Sequence, residues 1–109
     1  MSSYLRNEIV LIRYPFSDLS GAKVRPAVIV SPIHPSMDVL ITPLTSRTSS
    51  LQPGEFVMQD WAQAGLLVPT AVKRGVYTIQ RGLILKRVGE FSAGDAAALN
   101  DALSYWLGL

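Results

Sequence analysis

Basic side chains and hydroxyls gather in two short segments of the sequence, GAKVRP (residues 21–26) and TSRTSS (residues 45–50). In the first segment Arg25 precedes Pro26 at the start of an apolar run, and in the second Thr45 follows another apolar run. A guanidinium offers a planar fork of donors that matches phosphate oxygens, and a hydroxyl can add a further hydrogen bond. The pattern is typical of a phosphate-binding site, although ordinary solvated loops carry the same residue types.

Other kinds of active site find little support in the composition. The chain has no cysteine and one histidine, His34, which lies in a proline-flanked loop, so we expect neither a zinc site nor a Ser-His-Asp triad. Glycine-rich loops that cradle nucleotides are absent, and the acidic residues show no paired spacing. We therefore expect a site that works without a metal ion or another cofactor.

The bulk composition predicts one folded domain over residues 1–109, because 49% of the residues are hydrophobic and only 17% are charged. That apolar content is high for the size, which favours burial against a second copy of the chain. A net charge of +2 favours anionic partners, though only weakly. There is no apolar run long enough to span a membrane, and Arg6, Glu8 and Arg13 oppose a signal peptide, so we expect a cytoplasmic protein.

Short apolar runs separated by prolines, glycines and polar turns predict a mainly β protein. The predicted strands cover residues 9–14, 24–31, 38–42, 55–58, 68–77 and 83–88. A Pro53-Gly54 turn precedes the fourth strand, and one helical turn is expected at residues 60–65.

The last segment changes to a helical period. Ser92 to Asp95 resembles a capping box, and Gly108 is a fitting stop. Between them, apolar residues recur at helical spacing, namely Leu99, Ala102, Leu103, Trp106 and Leu107. The sequence thus predicts a small antiparallel β-barrel with a C-terminal amphipathic α-helix.

The simplest pairing of the second and third strands is an antiparallel hairpin. The start of the second strand and the end of the third would then share one edge of the sheet, where Arg25 and Thr45 would be neighbours. Further basic residues could lie nearby and complete a phosphate-binding site: Lys23, Arg47, Lys73 and Arg74.

Three runs of the sequence together resemble the PemK/MazF family of toxin-antitoxin endoribonucleases, in its PemK-like subgroup. They are IVLIRYPFSDLSGAKVRPAVIVS, DVLITPLTSR and DWAQAGLLVPTAVKRGVYTI, in the order of the family. The resemblance implies an SH3-like barrel of the CcdB/Kid/MazF kind, a homodimer, and metal-independent cleavage of single-stranded RNA at short motifs. It also implies a cognate antitoxin partner, together with which such toxins bind DNA.

The family's catalytic arginine corresponds to Arg25, the arginine directly before the proline, and its catalytic hydroxyl to Thr45. RNA contacts are expected from neighbouring residues, namely Ser20, Lys23, Ser46, Arg47, Lys73 and Arg74. Two positions depart from the family pattern. Asn7-Glu8 stands where members commonly have Gly-Asp, and the loop before Arg25 lacks the glutamate that many members carry.

Two other functions remain open at the level of sequence. One is a non-catalytic SH3-like dimer that binds nucleic acid, which the missing loop glutamate favours and the retained Arg25 and Thr45 oppose. The other is a gyrase poison of the CcdB kind, to which the apolar end LNDALSYWLGL gives little support. Trp61 and Tyr77 could stack on bases. Trp61 is better explained as core, and Trp106 as core or dimer interface.

Overall fold

Seven strands and one α-helix make up the part of the chain that the computed structural model describes, residues 4–14, 23–32 and 37–109. The first three strands are β1 (Glu8–Tyr14), β2 (Lys23–Ile29) and β3 (Asp38–Thr45). Two short strands follow, β4 (Phe56–Val57) and β5 (Ala71–Val72), and then β6 (Tyr77–Gln80) and β7 (Ile84–Glu90), which a 3-10 turn connects. The helix α1 (Ala93–Leu107) ends the chain. A mainly β fold with a C-terminal helix is therefore confirmed.

The strands form one antiparallel sheet in the order β4-β5-β3-β2-β1-β7, and β6 pairs with β3. The predicted antiparallel pairing of the second and third strands is confirmed, because Ala27, Val28 and Ile29 face Pro43, Thr42 and Ile41. Among the described strands, nothing joins β7 to β4, so the pairing is an open sheet rather than a closed barrel.

The central strand β3 is longer than predicted, because its last two residues, Leu44 and Thr45, pair with β5. The prediction of one strand over residues 68–77 is wrong. β5 and β6 both pair with β3, but residues 73–76 leave the sheet between them. Gly75 has a φ of 145°, and a Cβ there would meet the ring of Tyr77 at 2.6 Å, so the break requires glycine.

Two groups of buried side chains form the core. The first joins the sheet to α1 and includes Ile9, Val28, Leu44, Met58, Ala64, Val72, Phe91, Leu99 and Leu103. The second lies among the strands and includes Val10, Ile12, Ala27, Ile29, Val39, Ile41, Ile79 and Ile84. Trp61 and Trp106 pack against the first group and Tyr77 against the second, so the core interpretation of both tryptophans is confirmed.

Asn7 turns the chain into β1 with a φ of 75°, a conformation that asparagine tolerates better than most residues. Its backbone N–H donates to Ile29 O at 2.8 Å, and its carbonyl accepts from Phe91 N at 2.8 Å. The adjacent Glu8 is buried and forms an ion pair with Arg87, which raises the pKa of that guanidinium. Asn7-Glu8 therefore joins β1 to both β2 and the end of β7.

The helix begins and ends as predicted. Ser92 Oγ accepts from Asp95 N at 3.2 Å, and Gly108 closes the last turn with a φ of 71°. The Asp95 carboxylate is buried and accepts from Gln59 N at 2.9 Å and from Asp60 N at 3.0 Å. The expected helical turn at residues 60–65 is present, because Ala64 N donates to Asp60 O at 3.0 Å and Gly65 ends it with a φ of 94°. Asp95 attaches the start of this turn to α1. No helix within the described ranges is long and apolar enough to cross a membrane.

We expect Asp95→Ala to lower the free energy of unfolding by about 3 kcal/mol, because two backbone N–H groups lose a charged acceptor inside the protein. Urea unfolding measures the change. Asp101→Ala removes an exposed carboxylate from the same helix and should change stability by less than about 0.5 kcal/mol. Equal effects of the two substitutions would show that Asp95 does not fix the turn.

Candidate active site

Arg25 and Thr45 lie on facing strands beyond the last pair of the β2–β3 ladder. That ladder ends at Ala27 and Pro43, and the same register carried two residues further places Arg25 opposite Thr45. Side chains alternate along a strand, so Arg25 shares a face with Ala27, and Thr45 shares the same face with Pro43. The pairing on which the expectation rests is thus present, and that these two side chains are neighbours across the sheet edge stays a prediction.

Proline explains why the ladder stops where it does. Val30 N donates to Leu40 O, so the backbone groups of the even-numbered residues of β2 and β3 face each other, and the next hydrogen-bonded pair after Val28 and Thr42 would need the N–H that Pro26 lacks. Pro43 O accepts from Lys73 N at 2.9 Å, so Pro43 faces β5 on the other edge of β3, where Thr45 pairs with Ala71. On the other side, Arg25 pairs with Ile12 of β1, and Pro26 holds Arg25 in extended geometry. Beyond Ala27 and Pro43 the two strands thus keep only their outer partners, β1 and β5, in the described pairing.

Thr45 lines a pocket of about 290 Å³ together with two of the predicted RNA-binding residues, Arg47 and Lys73. The other lining residues within the described chain are Ser49, Ser50, Leu51, Gln52 and Glu55. Lys73 is placed by its backbone N–H, which donates to Pro43 O at 2.9 Å. Two cations and one carboxylate leave this pocket with a net positive charge, which suits a phosphate.

The Thr45 hydroxyl already accepts one hydrogen bond. Arg47 N donates to Thr45 Oγ1 at 3.1 Å, which closes a short turn after the strand. A hydroxyl has one proton to donate, and this contact occupies an acceptor position of the oxygen and leaves the proton free. Thr45 is therefore arranged to donate to an anion in the pocket.

Glu55 is a residue of this site whose role the sequence did not reveal. Its Oε1 accepts from Gln52 N at 2.7 Å, and its Oε2 accepts from Arg74 N at 2.8 Å. The carboxylate thus ties the loop after β3 to the segment after β5. Its position next to the Pro53-Gly54 turn predicts only a turn residue, since the contact with Arg74 depends on the tertiary fold.

The predicted Pro53-Gly54 turn is confirmed. Glu55 N donates to Gln52 O at 2.9 Å, and Gly54 has a φ of 88°, as a type II turn requires of its third residue. The side chain of Trp106 lies directly on this turn, and its Nε1 donates to Pro53 O at 3.0 Å. The turn is therefore fixed from both the pocket side and the helix side.

A second pocket, of about 410 Å³, adjoins the first at Gln52. Within the described chain it is lined by Gln52, Pro53, Arg74, Tyr105 and Trp106. Arg74 therefore belongs to this pocket and not to the one that contains Thr45. Its position is still adjacent, because its backbone N–H is bound by Glu55.

The remaining predicted residues are more dispersed. Lys23 begins β2 and is exposed, two residues before Arg25 on the same face. Ser46 is exposed beside Thr45. Ser20 and His34 lie outside the described residues. In residues 4–14, 23–32 and 37–109, no three histidine, cysteine, aspartate or glutamate side chains are grouped to hold a metal ion.

Comparison with known proteins finds one family that matches nearly the whole chain. The family described as "PemK-like, MazF-like toxin of type II toxin-antitoxin system" matches residues 5–107. None of the curated protein sequences matches the chain.

Solved structures share the fold. MazF (Form-I) from Deinococcus radiodurans is 21% identical with a TM-score of 0.80, and the similarity covers 100% of both chains. The Mycobacterium tuberculosis toxin MazF-mt6 is 21% identical with a TM-score of 0.72, over 94% of this chain and 97% of the other. An endoribonuclease in complex with its cognate antitoxin, from a Mycobacterial species, is 21% identical with a TM-score of 0.75, over 97% and 96%.

We expect Gly54→Ala to destabilise the protein by at least about 1 kcal/mol, because alanine disfavours a positive φ. In addition, the new Cβ would lie 2.3 Å from Nε1 of Trp106. Thermal unfolding followed by tryptophan fluorescence measures both the stability and the environment of that ring. Gly82→Ala is the control, because a Cβ there meets nothing within 4 Å. A Gly54→Ala protein as stable as the Gly82→Ala protein would contradict the tight contact.

Proposed function

Since the chain belongs to the PemK-like, MazF-like toxins of type II toxin-antitoxin systems, we propose that it is a metal-independent endoribonuclease that cuts single-stranded RNA at short sequence motifs. The observation that supports this proposal is the cationic pocket that Thr45 lines together with Arg47 and Lys73. The β2–β3 register, continued two residues beyond its last pair, would bring Arg25 opposite Thr45. We further propose that the toxin acts in the cytoplasm as a homodimer. A cognate antitoxin would restrain it, as the complexes of its solved relatives suggest.

The reaction needs no nucleophile from the protein. The 2′-oxygen of the RNA gives up its proton and attacks the adjacent phosphorus, which forms the P–O2′ bond. The P–O5′ bond breaks, and the leaving 5′-oxygen gains a proton. The products are a 2′,3′-cyclic phosphate and a 5′-hydroxyl. Because the nucleophile is part of the substrate, the enzyme has to hold the backbone in line and stabilise charge on the phosphorane oxygens.

Arg25 suits the stabilising role, because its planar fork can donate to two phosphate oxygens at once. It is exposed and directed by an extended backbone. A guanidinium stays protonated at any physiological pH, so Arg25 does not act as a general base. Its positive charge stabilises the phosphate most strongly in the transition state, where the phosphate carries more negative charge than in the bound substrate.

Thr45 supplies a directional hydrogen bond from the other side of the gap. The Arg47 N–H fixes the hydroxyl oxygen, and the hydroxyl proton can then point to a phosphate oxygen or to the leaving oxygen. Arg47 and Lys73 line the same pocket and would bind the neighbouring phosphates of the strand. Lys23, Ser46 and Arg74 are exposed and are proposed to extend the RNA-binding surface. A contact from Ser20, outside the described residues, stays a sequence-based prediction.

We expect Arg25→Lys to cut RNA at least about tenfold more slowly, which corresponds to 1.4 kcal/mol, because lysine keeps the charge but loses the fork. The assay follows cleavage of a labelled RNA in the presence of EDTA and identifies the cyclic phosphate by its mass. Arg13→Lys is the matched control on the neighbouring strand, where Arg13 pairs with Val24 on the opposite face. A wild-type rate in Arg25→Lys would contradict the role of the fork.

Inducible expression of the wild type and of Arg25→Ala tests the activity in cells. Growth arrest with RNA fragments, abolished by the substitution, supports the endoribonuclease. Arrest with intact RNA and broken DNA would instead indicate a gyrase poison. RNA binding without cleavage or arrest would indicate a non-catalytic module.

We expect Lys73→Met to weaken RNA binding and to lower the slope of log Kd against log salt concentration by about 0.7, the value for one lost phosphate contact on a single strand. Fluorescence anisotropy with a 2′-O-methyl RNA measures binding without cleavage. Lys86→Met is the control, because Lys86 is an exposed lysine on β7, where it pairs with Leu11 of β1. An unchanged slope in Lys73→Met would remove Lys73 from the RNA path.

A further inference from the structure

The pocket at the end of α1 combines an aromatic wall with hydrogen-bonding side chains. Tyr105 and Trp106 contribute two neighbouring aromatic residues from the last turn of the helix, and Arg74 and Gln52 contribute donors and acceptors. This pocket has no part in the steps derived above for the scissile phosphate. Aromatic faces next to an arginine are the surface on which proteins stack unpaired bases.

The aromatic wall is rigid on one side and accessible on the other. Trp106 is half-buried against the first core group, and its Nε1 is committed to Pro53 O at 3.0 Å. The missing side chain of Gly54 lets that ring approach the turn closely, because a Cβ there would lie 2.3 Å from Nε1. Tyr105, by contrast, is 65% exposed although it stands on a regular helix. An exposed aromatic ring on a fixed backbone binds a planar ligand with a small loss of conformational entropy.

The polar side of the pocket is fixed through the backbone. Glu55 accepts from the backbone N–H groups of both Gln52 and Arg74, so the backbone positions that carry these two side chains are held together. The Gln52 amide has two donors and an acceptor, which can pair with the edge of a base. The Arg74 guanidinium can stack on the face of a base or bind a flanking phosphate.

The two pockets are contiguous, because Gln52 lines both of them. A strand whose phosphate lies at Thr45 therefore has a direct path to Tyr105. We propose that the pocket formed by Gln52, Arg74, Tyr105 and Trp106 binds one unstacked nucleobase of the RNA, on one side of the scissile phosphate, and contributes to the sequence preference of cleavage. This inference rests on the proposed function, since it requires that the strand at Thr45 is RNA.

A base fits this pocket better than a phosphate. The last turn of a helix carries the negative end of its dipole, which repels an anion and attracts the amino donors of bases. Arg74 is the single cation among the described lining residues, whereas the Thr45 pocket has two. We therefore expect a phosphate to bind at Thr45 and a base to bind at Tyr105.

Binding is tested with labelled 2′-O-methyl decamers of A, C, G and U, which have no free 2′-hydroxyl and cannot be cut. We expect Tyr105→Ala to weaken binding of at least one decamer by about tenfold, since removal of one stacking ring has effects of this order. Tyr105→Phe keeps the ring and should bind within about twofold of the wild type. Leu67→Ala is the control for loss of an exposed apolar side chain, because Leu67 is 94% exposed in another segment.

Cleavage of an RNA library with random bases gives the second readout. Sequencing of the cut ends should show that Tyr105→Ala loses the preference at one position beside the cut, while Leu67→Ala retains it. Binding within twofold of the wild type for all four decamers, with an unchanged cleavage profile, would overturn the proposal. The same result with weaker inhibition by the antitoxin would assign the pocket to the protein partner and would overturn it as well.

The two proposals fail in different ways. A protein that loses decamer affinity in Tyr105→Ala but cuts no RNA would refute the endoribonuclease and retain the base pocket. If cleavage depends on Arg25, but Tyr105→Ala changes neither the decamer affinity nor the sequence preference of cleavage, the base pocket alone would be refuted. Unchanged unfolding curves for Tyr105→Ala show that the substitution acts on binding and not on folding.

Discussion

The end of the β2–β3 ladder is the constraint on which the candidate site depends. Pro26 has no N–H to give to β3, and the described pairing of the two strands stops at Ala27 and Pro43. Beyond that point β2 stays paired with β1, and β3 with β5 on its other edge. Arg25 and Thr45 therefore stand on strand ends that no described ladder joins, and in the proposed mechanism a phosphate binds between their side chains.

Two carboxylates stabilise the irregular segments around this gap in the same way. Glu55 accepts from two backbone N–H groups on separate loops, and Asp95 accepts from two on the turn that follows β4. Each carboxylate keeps its charge and is stabilised by backbone N–H donors rather than by a basic side chain. As a result Arg47, Lys73 and Arg74 are not needed as partners for these acids and can bind the substrate.

The sequence predicted well whatever depends on local patterns, and less well whatever depends on tertiary contacts. The helix follows from the spacing of Leu99 and Leu103 and from its cap at Ser92, and the pairing of β2 with β3 follows from one hairpin. The break at residues 73–76 depends on where β3 can accept partners. The pairing of Glu55 with Arg74 N joins positions nineteen residues apart, which no periodicity encodes.

Pro26 has a consequence for how such a protein can change over time. A residue with an N–H at this position could extend the pairing of β2 with β3, which would add stability and join the two strand ends. Selection for a more stable fold and selection for an open cleft therefore oppose each other at one position. The loop between Thr45 and Gln52 carries no such conflict, because the strand and the Gln52–Glu55 turn fix its two ends independently. New substrate preferences can arise there at little cost to the scaffold.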